Sequence, residues 1–180
     1  MMPHKAELMS WFIVDVEADG PIPGKYSIVS FGVVMLEPSL SHTFYGQTRP
    51  MTANFLPEAL AISGHTRDQH LSFHDPKEVM QQFRDWMVQT GSGRPIFVSD
   101  NVAFDWQWIN YYFHTFLGEN PFGHSGRRIG DLYCGMVKDS FARWKHLRKT
   151  THTHHPVDDA KGNAEALLAM AEMGLKIPMK

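Results

Sequence analysis

The chain has 180 residues, of which 43% are hydrophobic and 20% are charged, and its formal net charge is -2. This size and composition suit a single domain over residues 1–180, and the near-neutral charge gives no sign of a polyanion-binding surface over the whole protein. One cysteine, Cys134, excludes an internal disulfide, and the lack of a leader-like or membrane-spanning run favours a cytoplasmic protein that does not bind membranes.

Three strands are predicted first. The run Trp11–Val14 is continuously apolar and is followed by a turn-like stretch up to Gly20, which is typical of a buried strand. Strand-like runs at 27–36 and 42–48 follow after tight connections, so an antiparallel meander is expected. Poor alternation in the second run predicts that both of its faces are covered.

Two carboxylates, Asp15 and Glu17, follow the first apolar run at a spacing of two residues. Residues i and i+2 of a strand point to one face, roughly 6.5 to 7 Å apart. Like charges at the end of a buried strand repel each other unless cations lie between them, and oxygen ligands at this spacing suit Mg²⁺ or Mn²⁺. The alternative is that both acids lie in a solvated turn after the strand.

Two helices and a fourth strand are predicted next. Residues 57–62 form a short helical pattern, and Asp75 as N-cap with Pro76 as first helical residue predicts a longer helix extending to Gly91. The run 95–99 is typical of a strand. Because it follows a helix, it is expected to pair in parallel, which makes the sheet mixed.

The segment 99–117 predicts a helix with Asp100 or Asn101 as its N-cap. The helical stripe that contains Asp105 also carries three apolar residues, Ile109, Tyr112 and Phe116. Asp105 is therefore expected to point toward apolar neighbours. The alternative is that it occupies the first turn only because the helix dipole favours a carboxylate there.

Towards the carboxyl end, residues 127–132 are predicted to form a short strand ending in Asp131. The basic run 143–149 is a candidate for holding backbone phosphates, with Trp144 stacking on a base. The favoured interpretation of this run is nevertheless a solvated helix face.

A last helix is predicted after Pro156, with Asp158 as N-cap and Asp159 in the first turn. His154 precedes Asp159 by five residues and is expected in the loop before the helix. An imidazole beside a metal-binding carboxylate is suited to act as a general base. The alternatives are an exposed histidine cluster and a zinc site built from three histidines, His152, His154 and His155.

Several separated stretches resemble the DEDDh family of 3'-5' exonucleases. Residues 15–17 are similar to its Asp-x-Glu motif, 101–105 to Asn-x-x-Phe-Asp, and 154–160 to His followed by four residues and Asp-Ala. Residues 62–66 resemble the loop over the terminal nucleotide, and 131–132 stand in the place of Asp-Thr-Leu. The matches occur in the family's order over nearly the whole chain.

The resemblance implies an α/β fold of the ribonuclease H-like type, with a mixed sheet of about five strands flanked by helices. It also implies a metal-dependent 3'-5' exonuclease that releases nucleoside 5'-monophosphates from single-stranded nucleic acid. Two Mg²⁺ or Mn²⁺ ions would be held by Asp15, Glu17, Asp105 and Asp159, with His154 as general base. The implied substrate-binding residues are Gly64, His65, Thr66, Asn101 and Phe104.

Three departures from the family pattern, at Asp19, Asp100 and His65, bear on the substrate. Asp19 is expected to add a carboxylate beside the substrate end. Likeness to small stand-alone members favours RNA or short oligonucleotides and makes a homodimer plausible. Candidate base-stacking residues are Tyr26, Phe73, Trp106 and Phe122. The alternative function is a catalytically silent nucleic-acid-binding or adaptor module on the same fold.

Overall fold

A computed structural model describes residues 9–177 of the chain. Its five strands are β1 (Met9–Ala18), β2 (Ile28–Met35), β3 (Thr43–Gln47), β4 (Arg94–Ser99) and β5 (Gly126–Arg128). They lie in the order β3-β2-β1-β4-β5. The pairs β1–β2 and β2–β3 are antiparallel, and the pairs β1–β4 and β4–β5 are parallel. The predicted meander and the mixed sheet are confirmed.

Six helices flank this sheet in the described part of the chain. They are α1 (Pro57–Ile62), α2 (Arg67–Leu71), α3 (Pro76–Thr90), α4 (Val102–Leu117), α5 (Ile129–Val137) and α6 (Pro156–Glu172). A single 3₁₀ turn covers Lys145–Leu147. Asp75 caps α3 as predicted, because its side chain accepts hydrogen bonds from the first-turn amides. Over residues 9–177, none of the helices combines the length and the apolar character that crossing a bilayer requires.

The alternation of β1 divides the core into two layers. Phe12, Val14 and Val16 pack with the apolar residues of α3 and α4, and Trp11 and Ile13 pack on the other face with α5 and α6. All eight residues of β2 are buried, as its weak alternation predicted. Because strand side chains repeat every two residues, the row that begins with Trp11 and Ile13 continues into Asp15 and Glu17. The two acids therefore lie on the α6 side of the sheet.

The carboxylates belong to the strand itself. Asp15 pairs with Gly32 and Glu17 pairs with Ser30 in the β1–β2 ladder, and both acids are half-buried. The alternative of a solvated turn after the strand is wrong, because backbone pairing with β2 extends to Ala18.

Two predicted boundaries are also wrong. The strand predicted to end in Asp131 stops at Arg128, where parallel pairing with Ser99 ends, and Asp131 lies exposed in the first turn of α5. The last helix begins at Pro156 and not after an Asp158 cap, because the fixed φ of proline suits the first helical position and its missing N–H is not needed there. His155 is the N-cap.

Candidate functional site

Asp159 meets the β1 carboxylates because α6 approaches the sheet closely at Gly32. A Cβ atom on Gly32 would lie 2.3 Å from the backbone of Pro156, so only glycine allows this contact. Asp159 is 1% exposed in the first turns of α6. One oxygen from each of Asp15, Glu17 and Asp159 lies within 4.8 Å of the others. Three of the four predicted metal ligands therefore converge.

The fourth predicted ligand, Asp105, lies in α4 and reaches the same site through a hydrogen bond to β1. Its carboxylate is 3% exposed, and its Oδ1 accepts a hydrogen bond of 3.1 Å from the backbone N–H of Val16. Val16 lies between Asp15 and Glu17 in β1, so this bond brings the Asp105 side chain beside them. The expectation that Asp105 points inward with Ile109 and Tyr112 is confirmed, since both are fully buried.

The four carboxylates of the site carry more negative charge than nearby cations balance, and burial together with this excess raises the pKa of three of them. Burial, with repulsion from Asp105, Glu17 and Asp159, raises the pKa of Asp15 well above its usual range. Burial raises the pKa of Glu17 to about 7, with repulsion from Asp159 as the next cause, and burial raises the pKa of Asp105 to about 8. Buried, crowded oxygen ligands of this kind fit a hard divalent cation, which would favour their ionised form.

An arginine supplies part of the missing charge. Nη2 of Arg148 donates to Oδ1 of Asp159 at 2.9 Å, and the Arg148 side chain is only 9% exposed. Gly162 in α6 makes room for it, because a Cβ atom there would lie 2.4 Å from Nε of Arg148. The prediction that the basic run 143–149 is a solvated helix face is wrong for Arg148. A glycine inside a helix, which costs about 1 kcal/mol relative to alanine, was the available sequence signal for this contact.

Asp159 also shapes the loop that carries the histidines. It accepts hydrogen bonds from the backbone N–H groups of Thr153 and His154, at 3.2 and 2.9 Å. His154 has a φ of 61°, in the left-handed region that non-glycine residues rarely adopt, and these bonds hold it there. Nδ1 of His154 lies 3.7 Å from Oε1 of Glu17, and half of its side chain is exposed. The predicted general base therefore lies at the open side of the carboxylate cluster.

The three histidines of this loop do not converge on one point. Ring nitrogens of His152 and His154 lie within 4.8 Å of each other and of an Asp159 oxygen. His155 instead packs against Tyr45 and lies 3.8 Å from Asp158. Among the described residues, the three-histidine zinc site is not formed.

An apolar pocket of about 280 Å³ borders the cluster on the side of Glu17 and contains Phe104 in its lining. Gly64 follows α1 with a φ of 74°, and the exposed Thr66 caps α2. Asn101 is the exposed N-cap of α4 and makes no side-chain capping bond. His65 lies near Gln47 of β3, at 3.4 Å between side-chain nitrogens.

Asp19 does not reach the substrate side. It is fully buried, accepts a 2.6 Å hydrogen bond from Ser27 N–H and forms a 2.9 Å ion pair with Arg67. His70 lies 3.6 Å away, and burial lowers its pKa to about 4, so it is neutral. The expected extra carboxylate at the substrate end is wrong, because Asp19 joins β1 to α2 instead.

Most of the candidate stacking residues are structural. Phe122 and Tyr26 belong to the core, and Trp106 packs edge-on against Phe97. Phe73 packs edge-on against His65. The proposed stacking role of Trp144 also fails, since its side chain is 4% exposed.

No protein-family model matches the chain. The chain is 38% identical over 166 residues to the 3'-5' DNA exonuclease Cap18 of Escherichia coli, an alignment that covers 84% of the chain and 86% of that protein.

Solved structures of nucleases share the fold. The nuclease domain of 3'hExo, a DEDDh family member bound to rAMP, has a TM-score of 0.76 at 19% identity, over 97% of this chain and 96% of that chain. Cell-death related nuclease 4 has a TM-score of 0.75 at 15% identity, over 92% and 64%. The zinc-bound complex of Escherichia coli exonuclease I with single-stranded DNA has a TM-score of 0.65 at 17% identity, over 92% and 40%. With the Cap18 relationship and the site geometry, these findings identify the chain as a member of the DEDDh family of 3'-5' exonucleases.

Proposed function

We propose that this exonuclease removes nucleoside 5'-monophosphates one at a time from the 3' end of single-stranded DNA. The observation that carries the proposal is the convergence of Asp15, Glu17 and Asp159 within 4.8 Å, with Asp105 bonded to the backbone between the first two. A fold without catalytic activity has no use for two buried and two half-buried carboxylates in one place, because their desolvation and mutual repulsion are unfavourable.

Asp15, Glu17, Asp105 and Asp159 would hold two Mg²⁺ or Mn²⁺ ions. The chemistry that such a pair supplies is stabilisation of the attacking and leaving oxygens of a phosphodiester. Four carboxylates, two divalent cations and the Arg148 guanidinium together leave one positive charge. This balance suits the single negative charge of the scissile phosphate.

His154 would act as the general base at this site. Its ring lies at the open side of the cluster, 3.7 Å from Glu17, where water can reach it. The proton of the attacking water would pass to this imidazole, and the upstream 3' oxygen would leave. Asp159 holds the His154 backbone and so orients the base.

The terminal nucleotide would occupy the pocket beside Glu17. Its apolar wall, which includes Phe104, suits any base, since stacking is largely insensitive to base identity. The backbone around Gly64 and Thr66 lies at the end of α1 and the start of α2, close to that pocket. Asn101 would contact the substrate nucleic acid with its side-chain amide, which makes no capping hydrogen bond to α4.

The choice of DNA rests on the 38% identity to a protein named a DNA exonuclease. The resemblance to small stand-alone members of the family favours RNA or short oligonucleotides instead. DNA and RNA differ at the sugar 2'-hydroxyl, so the rates on DNA and RNA strands of the same base sequence distinguish the two substrate preferences.

The test is digestion of matched 5'-labelled single-stranded DNA and RNA in Mg²⁺ or Mn²⁺. Glu17→Gln removes one ligand charge, and Glu172→Gln, at the exposed far end of α6, is the matched control. A ladder shortening from the 3' end, faster for DNA and lost with Glu17→Gln or EDTA, is the expected result. Faster digestion of RNA would refute the sugar preference. Binding without cleavage would refute the catalytic proposal in favour of an adaptor module.

A further inference from the structure

A groove of about 730 Å³ lies outside the ends of β4 and β5. Asp100 and Asn101 follow β4, and Arg128 and Gly130 mark the end of β5 and the start of α5. The opposite wall is the segment 140–145. The groove thus joins the start of α4 to the basic run that precedes α6.

Three cations line the groove: Arg128, Arg143 and Lys145. One carboxylate, Asp100, faces them and pairs with Lys145 at 2.9 Å. Arg128 donates to the backbone oxygen of Asp100 at 3.2 Å and also pairs with Asp131. Arg143 is exposed at the wall. Two of the three cations are thus paired with a carboxylate, and among the described residues Arg143 is the cation of this lining that forms no ion pair.

An aromatic side chain stands beside these cations. Phe141 is 90% exposed, more than any other large hydrophobic residue among those described. Burying a phenylalanine side chain is favourable by about 2 kcal/mol relative to leaving it in water, so Phe141 would gain from a flat apolar partner that covers it. A basic groove with an exposed aromatic ring is the combination that binds single-stranded nucleic acid.

The groove lies on the same edge of the sheet as the carboxylates. β1, β4 and β5 are parallel, so their carboxyl ends, at Glu17, Ser99 and Arg128, meet at one edge. Val98 pairs with Ile13 and with Arg127, so the end of β5 at Arg128 is level with Val14 of β1. Neighbouring strands are about 4.8 Å apart, which puts the end of β5 roughly 10 Å from Asp15. In sheets of this kind, ligands bind along the carboxyl edge. A strand whose last nucleotide lies beside Glu17 would pass Asn101 and reach the groove within a few nucleotides.

We propose that this groove binds the substrate strand a few nucleotides 5' of the scissile phosphate, with Phe141 stacking on a base and Arg143 contacting a phosphate. The proposal rests on the proposed exonuclease function for its ligand. It assigns the groove the role of holding the strand between successive cleavages, because it contacts nucleotides that are not yet terminal.

The experiment compares two substrates of the metal-loaded full-length chain. One is a single-stranded octadeoxynucleotide, and the other is the p-nitrophenyl ester of thymidine 5'-monophosphate, which has a scissile phosphate but no nucleotide upstream. For the double variant Phe141→Ala/Arg143→Gln, the KM for the octanucleotide should rise about tenfold, because stacking and a phosphate contact are lost. The KM for the ester should change less than twofold, and kcat should change little for both. Both replaced side chains are exposed, so folding should be unaffected.

The matched control is Val88→Ala/Lys77→Gln, which changes an exposed apolar and an exposed basic residue on α3. A second measurement does not need cleavage: fluorescence anisotropy of a labelled octanucleotide in EDTA. There the groove variant should bind about tenfold more weakly, and the slope of log affinity against log salt should fall by about 0.7.

Unchanged KM and unchanged anisotropy in the groove variant would overturn the proposal, as would equal losses on the octanucleotide and the ester. A change confined to the sedimentation of the free protein would assign Phe141 to contact with a second copy of the chain and would also overturn it. Failure of the exonuclease function is a different result, because the wild-type chain would then hydrolyse neither substrate.

Discussion

Asp19 and Asp159 are both buried aspartates paired with an arginine, yet their surroundings differ. Asp159 is 1% exposed, pairs with Arg148 and lies among other carboxylates. Asp19 is fully buried, pairs with Arg67 and is otherwise surrounded by a backbone amide and a neutral imidazole. One arginine balances Asp19 alone, and one arginine does not balance the cluster around Asp159. Excess negative charge in the surroundings, and not burial or pairing with an arginine, distinguishes Asp159 from Asp19.

The largest expected effect separates the two acids by activity. Asp159→Asn should reduce kcat by at least about 10³-fold, the scale seen when an essential active-site group is removed. Asp19→Asn should keep kcat within about tenfold at a temperature where the variant is folded, because the Asp19 carboxylate pairs with Arg67 and Ser27 and not with the carboxylate cluster. Single-turnover assays with saturating Mn²⁺ measure both. Comparable losses in the two variants would remove the distinction.

The proposed role of His154 as general base should be separable from metal binding. His154→Ala should lower kcat by roughly 10²- to 10⁴-fold, the usual contribution of a general base. Mn²⁺ affinity, measured by calorimetry, should stay close to that of the wild type, because the carboxylates are intact. His155→Ala is the control, since His155 packs on Tyr45. Turnover like that of the wild type in His154→Ala would exclude it as the base.

The two arginines should respond differently to metal. Arg67→Met leaves Asp19 buried without a counter-charge and should destabilise the fold by about 3–5 kcal/mol, with or without Mn²⁺. Arg148→Met should also destabilise the metal-free protein, but saturating Mn²⁺ should recover most of the loss, because the cation compensates the same carboxylates. Urea unfolding in EDTA and in Mn²⁺ gives the four values. If Mn²⁺ rescues neither variant, Arg148 does not share the metal's electrostatic role.

The smallest expected effect is a pH dependence of stability in EDTA. The pKa of Glu17 is about 7 and that of Asp105 about 8 in the folded chain, above the ordinary carboxyl values of 4.5 and 3.8. The unfolded chain releases these protons first, so stability is full below about pH 4 and falls as the pH rises to about 8. The melting temperature should fall by at least about 5 °C between pH 5 and pH 8.5. Mn²⁺ should abolish this fall for the wild type, and a flat profile in EDTA would contradict the raised pKa values.

Features that depend on neighbouring residues were predictable from the sequence. The apolar runs of β1 to β3 and the Asp75–Pro76 start of α3 are encoded locally, by side-chain pattern and capping chemistry. The resemblance named the family from short motifs, and the DEDDh membership is confirmed. The site roles of the motif residues stay predictions, although the structure brings Asp15, Glu17 and Asp159 together.

Features that depend on distant partners were decided only by the tertiary structure. The end of β5 follows from its pairing with β4, and the burial of Arg148 follows from the space at Gly162. Asp19 is drawn inward by Arg67, 48 residues away in the chain. The sequence by itself determined most of the elements and the family. A charged residue in the sequence does not reveal its counter-ion. The fold decided which charges are balanced and which are left in excess, because that depends on contacts between distant residues.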